Sequence, residues 1–428
     1  FISHNWSVGR ARKFVAVALF SSLGLALGMA YLVQALCVVA IALGMVTKTV
    51  GQFLTFPVCM VVLFFGRQWA SLLGFGGPTV FLDKVCIHQT DKALQRQGIA
   101  KLGAFLSHSS SILVCYSDVY LRRLWTIYEV ACFLAVHGRS RMHVIHMRGP
   151  LVVLSLAGCI WAINVVIAIC QEILGESDSF RWFFDVAATF GAAVAGITTL
   201  RKLAREADGM RGHVASFDVK SAGCLKEEDR AYVERNIASF MRYLPEADPQ
   251  ASQDEHLLSF NELVKKELPL AMEHPAGLTG VTGVPPRLLL LCLLPWLAFK
   301  LDGCADMWWR KRRLRSALLA AYTVAMYLGA FPLMTAAIMR FTRFQLSLRG
   351  WGEVCYVAVA VCASTGVVGL LTYVTSEELV PRAEAGGWYL VVFVVLCSSL
   401  LILSGLVLCW SPKAAGSFPQ IPAETFAA

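Results

Sequence analysis

The stretch that decides the fold of this chain is residues 109–133, which read SSSILVCYSDVYLRRLWTIYEVACF. Residues 112–116 form a short apolar run of the length and β-rich composition expected of a buried strand. The helix predicted after it, over about 120–137, places Trp125 and Glu129 one turn apart on the same face. A carboxylate on a largely apolar helix face indicates that a particular partner or function holds it there.

This pattern resembles the second half of a TIR domain, in which a serine-flanked strand leads through a Tyr to a Trp-Cys-x-x-Glu-Leu helix. The positions that match without a gap are Ser109, Ser117, Tyr120, Trp125 and Glu129. The chain departs from the family pattern at three positions, where it has Arg123 for Ser, Thr126 for Cys and Val130 for Leu.

The resemblance extends upstream. Phe1-Ile2-Ser3-His4 is similar to the first strand of the family, and Phe81-Leu82-Asp83 is similar to its second strand with the acidic residue that follows. Together with residues 84–91 and Arg123-Leu124-Trp125, these matches are closest to the divergent TIR-like domains of protists. The soluble pieces involved, 1–13 and 67–148, make up about a fifth of the chain.

The predicted fold of these pieces is a flavodoxin-like α/β domain. Strands are predicted at 1–6, 79–84, 111–117 and 142–147, with helices at about 91–106 and 120–137. Strands that alternate with helices predict a parallel sheet covered by helices. The resemblance implies that a membrane hairpin at 14–66 replaces the family's first helix. A new span at Leu151 stands where the fifth strand and last helix should be.

The composition predicts a polytopic helical membrane protein. Hydrophobic residues make up 57% of the 428 positions and charged residues only 16%, which no single soluble domain requires. The chain begins with Phe1 inside its first motif, so we expect it to be a fragment that lacks its true N-terminus. The uncharged run over 14–47 is far longer than the apolar part of a signal peptide and is expected to stay in the membrane.

Seven or eight spans are predicted. Two of them lie within 14–66, and a second hairpin occupies 151–200, with spans at 151–170 and 182–200. Three more are predicted at about 316–338, 354–375 and 388–410, within a C-terminal membrane region at 287–410. The tail, 411–428, is rich in Pro and Ala.

The orientation follows from the distribution of charges. The loop at 172–179 is acidic and its flanks carry Arg148 and Arg201, so the positive-inside rule places the loop outside the cytoplasm. The TIR-like domain and the helical region 201–286, which matches no motif, are then cytoplasmic; which membrane is involved stays open.

The apolar run at 288–299 determines the count of spans. It has twelve residues, contains Pro295 and favours a re-entrant segment, although a span fits as well. The basic cluster that follows, preceded by Trp308 and Trp309, predicts a cytoplasmic anchor that attracts anionic lipid. Its members are Arg310, Lys311, Arg312 and Arg313.

Several classes of site have no support in the sequence. The fourteen cysteines include no CxxC pair and most lie in apolar segments, so neither a disulfide framework nor a metal site is predicted. The net charge of +9 is spread over the ends of the spans and does not indicate nucleic-acid binding. No Gly-rich phosphate loop, Walker motif or HExxH motif occurs.

The resemblance implies one possible reaction, since many TIR domains cleave the nicotinamide–ribose bond of NAD with the Glu of the Trp-x-x-x-Glu helix. Glu129 is then the candidate catalytic residue, and its carboxylate would stabilise positive charge that develops on the ribose. NAD would be a substrate, and no cofactor is expected. The alternative for Glu129 is a surface ion pair with Arg122 or Arg123.

Other residues are candidates for ligand binding. Ser3, His4 and Trp6 follow the first predicted strand, at the edge where open parallel α/β sheets bind ligands. Asp83 would close a loop over a ligand or cap a turn, and Trp125 would line the site or pack in the core. Trp6 also suits an interfacial anchor.

Three classes of function remain open. The first is a membrane-anchored signalling protein whose TIR-like domain associates with its own kind or with a TIR-type partner, while the lipid bilayer supplies localisation. The second is an NAD-cleaving enzyme. The third is a transporter or channel, for which Asn164 and Asp185 are the nearest polar candidates inside spans.

Overall fold

The computed structural model describes residues 1–409 with short gaps. The gaps are 78, 175–177, 225–226, 243, 245–247, 249, 273–285, 311–312, 345–347, 349, 374–378 and 386–387. Residues 273–285 of the predicted helical region 201–286 lie outside the described residues, as do the tail at 411–428, Glu176, Lys311, Arg312 and the side chain of Asp185.

Three short strands form a parallel sheet. They are β1 (Ile2–His4), β2 (Ile112–Tyr116) and β3 (Met142–His146), in the order β1-β2-β3. The register pairs Ser3 with Val114 and Val114 with Val144. β2 is completely buried because it is the central strand, so its sequence is apolar throughout. The strands predicted at 1–6, 111–117 and 142–147 are therefore confirmed, with shorter bounds.

Helices account for most of the remaining chain. In the first half they are α1 (Arg10–Ala42), α2 (Val50–Leu72), α3 (Asp83–Cys86), α4 (Lys92–Ala100), α5 (Leu102–Ser107), α6 (Leu124–His137) and α7 (Gly149–Leu174). In the second half they are α8 (Asp178–Ala215), α9 (Glu228–Arg242), α10 (Gln253–Met272), α11 (Pro286–Trp309), α12 (Arg313–Ala325), α13 (Phe331–Phe344), α14 (Trp351–Tyr373), α15 (Val380–Glu384) and α16 (Trp388–Cys409). A π-helical turn, Met326–Ala330, joins α12 to α13.

The strand predicted at 79–84 is wrong. Residues 79–82 have no regular structure and the helix α3 begins at Asp83. A single backbone bond, from Ile2 N to Phe81 O at 3.0 Å, marks the position of the missing strand beside β1. The ring of Phe81 stacks on Phe1 and Phe105, and Leu82 O then accepts from the amides of the next helical turn, so the chain turns away after one contact.

The helix predicted at 120–137 is divided. Tyr120–Arg122 forms a 3₁₀ turn, Arg123 is extended and α6 begins at Leu124. The extended residue between the two helical segments pairs with a distant part of the chain. Arg123 and Gly223 form an isolated parallel β-bridge, and the amide of Gly223 donates to Arg122 O at 2.8 Å. A segment 100 residues downstream therefore sets the start of α6, which no local pattern could indicate.

The sheet is covered on both faces. On one face, β2 and β3 share a core with α6, α9 and α10 and with the end of α8; the buried contributors from 201–286 include Met210, Val214, Phe217, Ile237 and Phe260. On the other face, Leu113, Cys115 and Ile145 pack against the first turns of α1. The helical region 201–286 thus supplies the cover that the shortened α/β unit would otherwise lack.

Five of the helices in the described part of the chain are long and apolar enough to cross a membrane. They are Arg10–Ala42, Val50–Leu72, Gly149–Cys170, Arg287–Trp309 and Arg313–Thr335. This agrees with the predicted class of a helical membrane protein. The predicted spans at 354–375 and 388–410 fall on α14 and α16, where shorter apolar stretches are described, so the count of seven or eight stays a prediction.

The apolar run at 288–299, for which the sequence favours a re-entrant segment and leaves a span open, is part of a longer helix that is long and apolar enough to cross a membrane. The helix α11 continues through Lys300 and Asp302 to Trp309, because groups on α1 and α2 donate hydrogen bonds to the carboxylate of Asp302. The ring of Trp309 packs against Gly44, where a β-carbon would come within 2.7 Å. Gly44 follows the end of α1 that is remote from the sheet, so Arg310, which follows Trp309, and the sheet lie at opposite ends of the bundle.

Candidate functional site

The edge formed by the carboxyl ends of the strands leads directly into the membrane helices. Only five residues separate His4 at the end of β1 from the start of α1, and two separate His146 at the end of β3 from α7. Open parallel α/β sheets bind ligands at this edge. In this chain the edge faces the helices that enter the membrane.

Glu129 lies under that edge and is buried. Only 8% of the residue is exposed. The Ser3 hydroxyl donates to Glu129 Oε2 and also forms a hydrogen bond with the Tyr120 hydroxyl. These three side chains come from β1, the turn after β2 and α6, so the cluster joins segments that are more than 100 residues apart. No ion pair of the described residues involves Glu129, so the alternative of a pair with Arg122 or Arg123 is not what the structure contains.

The burial of Glu129 alters its acidity. Burial raises the pKa of Glu129 to about 8, the hydrogen bond from Ser3 acts in the opposite direction, and the charge of Asp83 adds to the increase. The pKa of Tyr120 is also raised well above its ordinary value, chiefly by burial and then by the charge of Glu129. At neutral pH the carboxyl group of Glu129 is therefore mostly protonated and uncharged.

A second group of side chains lies beside this cluster, nearer to the surface. Trp6 Nε1 donates to Asp83 Oδ2 at 3.0 Å, and His4 Nδ1 lies 3.8 Å from Asp83 Oδ1. The ammonium group of Lys84 stands 4.9 Å from the centre of the Trp6 ring. The pKa of His4 is lowered, first by burial and then by the charge of Lys13, while the charge of Asp83 opposes both.

Four of the five predicted ligand-binding residues are thus brought together with Glu129. Ser3 contacts it directly, whereas His4, Trp6 and Asp83 form the neighbouring group. Trp125 is not part of this arrangement. It packs against the main core and meets Tyr128 edge to face at 5.7 Å, which matches the alternative of a packing residue.

Sequence reasoning missed a polar group at the end of β3. The buried His146 has Nδ1 at 3.1 Å from Glu206 Oε2 and Nε2 at 3.8 Å from Asp118 Oδ1. Asp118 also pairs with Arg148 at 3.1 Å. The sequence feature that could have indicated this group is a His at the carboxyl end of a predicted strand. Its partner Glu206 lies on α8, 60 residues further along the chain.

A second missed group lies inside the membrane bundle. Asp302 is 1% exposed, and its carboxylate accepts from Gln34 Nε2 at 2.8 Å and from the amide of Gln52 at 2.9 Å. Gln52 lies in the first turn of α2, so the carboxylate of α11 occupies the positive end of that helix. Thr55 completes the cluster by donating to Gln34 Oε1 at 2.7 Å.

The described residues contain no group of three His, Cys, Asp or Glu side chains that could hold a metal ion. The side chains of Ser3, Tyr120 and Glu129 at this site allow hydrogen bonding, proton exchange and, if Glu129 ionises, stabilisation of a positive charge.

We compared the chain with models of known protein families, with characterised proteins and with solved structures, and none of them matches.

Proposed function

We propose that this chain is a membrane-anchored TIR-like signalling protein, whose cytoplasmic α/β unit acts by associating with its own kind or with a TIR-type partner. The observation that carries the proposal is the position of the ligand-binding edge. Both outer strands run from that edge into membrane helices within a few residues, which leaves the opposite, water-facing side of the unit for contacts.

The helix α4 offers such a contact surface. None of its residues is buried, Leu94 is exposed, and Lys92 and Arg96 are exposed beside it. Asp91 caps the helix by accepting from the amides of Ala93 and Leu94, so α4 is ordered although it contributes little to the core. We therefore propose α4 as the contact surface, because it is ordered and exposes Leu94 beside two cations.

Catalysis of NAD cleavage is the weaker alternative because of the state of Glu129. A carboxylate that stabilises developing positive charge must be ionised and must reach the substrate. Glu129 is buried, is mostly protonated at neutral pH and already engages Ser3. The third alternative, a transporter, gains Asp302 as an intramembrane carboxylate. However, the partners of Asp302 in the described residues bind one another, and none of them identifies a transported species.

The decisive experiment combines two measurements on purified protein that is clustered in liposomes. We expect no NAD-dependent release of nicotinamide from wild type or from Glu129→Ala. We expect energy transfer between labelled copies to rise with protein density and to fall severalfold in Leu94→Asp. The matched control is Leu258→Asp, which places the same charge on an exposed position of α10. Release of nicotinamide that is lost in Glu129→Ala would establish the enzyme instead.

The orientation is tested separately. We expect a glycosylation acceptor inserted near residue 176 to be modified and one near residue 215 to remain unmodified, because the flanking charges place 201–286 in the cytoplasm. The sheet packs against the end of α8, so the same result would locate the α/β unit. The reverse pattern would place the α/β unit outside the cytoplasm and contradict the proposal.

A further inference from the structure

A basic and apolar surface lies where the α/β unit meets the membrane bundle. Its apolar members are all more than half exposed. They are Trp6, Phe14, Leu72, Leu73, Phe75, Val80 and Val85. Exposed apolar groups that adjoin the ends of α1 and α2 lie at the level where the bundle leaves the hydrocarbon.

The charges on this surface are mainly positive. Arg10, Arg12 and Lys84 are exposed, and Lys13 is close enough to lower the pKa of His4. The acid in the same neighbourhood, Asp83, already accepts from Trp6 and lies beside His4. The surface as a whole is therefore positive.

The contact between Lys84 and Trp6 orders the centre of this surface. The ammonium group lies 4.9 Å from the ring centre, and the indole N–H is held by Asp83. An aromatic ring with a cation beside it is the arrangement that suits the headgroup level of a bilayer, where the ring contacts apolar chains and the cation contacts phosphate.

We infer that this surface, centred on Trp6 and Lys84 and on the exposed side chains of Leu72, Leu73, Phe75, Val80 and Val85, binds the anionic headgroups of the adjoining leaflet and docks the α/β unit on it. The bilayer is the occupant that the chain itself supplies, because α1 and α2 fix the surface at the interface. Anionic lipid matches the excess of Arg and Lys. The inference does not depend on how the unit signals.

Hydrogen exchange in nanodiscs tests this docking. The full chain is placed in discs of phosphatidylcholine alone and in discs that contain phosphatidylserine as well. We expect amide exchange over residues 72–86 to slow roughly tenfold or more in the anionic discs, and Arg12→Gln with Lys84→Gln to abolish this difference. The control is Arg235→Gln with Lys265→Gln, which removes the same charge from α9 and α10 and should leave the protection intact.

Other occupants give different outcomes. Protection that follows the number of copies per disc and ignores the lipid would identify a second copy of the chain and overturn the inference. Protection by inorganic phosphate or NAD in phosphatidylcholine discs would identify a soluble ligand and also overturn it. Equal exchange in both kinds of disc would show that anionic headgroups do not bind this surface and would overturn the inference. The proposed self-association is a separate claim, which the energy transfer between labelled copies tests independently.

Discussion

A buried carboxyl group of the α/β unit, Glu129, and one of the membrane bundle, Asp302, have different kinds of hydrogen-bond partner. Glu129 accepts a hydrogen bond from the Ser3 hydroxyl, which is also hydrogen-bonded to the Tyr120 hydroxyl. Hydroxyl groups can donate or accept, so they can serve either protonation state of the carboxyl group. Asp302 instead accepts from Gln34 Nε2 and from the backbone amide of Gln52, which can only donate. The group on α11 is bound as a carboxylate.

This difference assigns different roles to the two groups. Glu129 exchanges a proton near neutral pH, whereas Asp302 ties α11 to the hairpin of α1 and α2. A buried carboxyl group is therefore not a functional residue by its burial alone. The hydrogen-bonding character of its partners decides whether it can change its charge without breaking the structure.

The largest predicted effect is that of Asp302→Ala. The substitution leaves the amide of Gln52 without its acceptor inside the bundle, and Gln34 Nε2 keeps only its 3.4 Å hydrogen bond to Ala298 O. We expect a loss of about 4–6 kcal/mol in the free energy of unfolding. Thermal unfolding in nanodiscs measures it.

The matched control is Asp306→Ala, one turn further along α11, where the carboxylate pairs with Arg310 at 2.9 Å near the end of the helix. This pair is partly exposed, so we expect a change of less than about 1 kcal/mol. Equal losses in the two variants would mean that Asp302 does not tie the helices together.

The next largest predicted effect is a decrease in the free energy of unfolding as the pH rises. The ordinary pKa of a glutamic acid, 4.5, applies to Glu129 in the unfolded chain, and burial raises the value in the folded chain to about 8. Between these values the folded protein keeps a proton that the unfolded chain releases, so stability falls as pH rises from about 4.5 to 8 and then levels off.

This contribution amounts to up to about 5 kcal/mol over that window. Urea unfolding at a series of pH values measures it, with Glu129→Gln as the reference that cannot titrate. A slope that is unchanged in the variant would assign the pH dependence to other groups.

Sequence reasoning found the parts of the fold that local patterns encode. The apolar run of β2, the alternation of strand and helix and the family resemblance of residues 1–4 together predicted β1, β2 and β3 in one parallel sheet. The strand at 79–84 failed because three apolar residues before Asp83 match a strand, while a single backbone bond to Ile2 is all that forms. Pairing at an edge depends on the partner, which local sequence does not specify.

The candidate site was predicted only in part, because local sequence does not specify the distant partners of its residues. Ser3, His4 and Trp6 were found because they follow a predicted strand, whereas Asp83 and Glu129 were found through the family resemblance. Glu206 and Asp302 were missed, since their partners lie 60 and 250 or more residues away. The charges of Lys300 and Asp302 made the apolar run appear to end at residue 299. The helix α11 continues past them because Asp302 has hydrogen-bond partners on α1 and α2.

The smallest predicted effect is that of Glu129→Gln at pH 6, and it separates the two carboxyl groups most directly. The protonated side chain of Glu129 and the amide of Gln have the same shape and are both uncharged, so Ser3 can still donate to an oxygen atom at this position. We expect a loss of about 1 kcal/mol or less in the free energy of unfolding at this pH. Asp302→Asn, the same chemical change on α11, should cost clearly more, because it replaces one oxygen that accepts with an NH₂ group facing donors. If the two amide variants lost the same stability at pH 6, Glu129 would be held as a charged group like Asp302. The argument against its role as a carboxylate in catalysis would then fail.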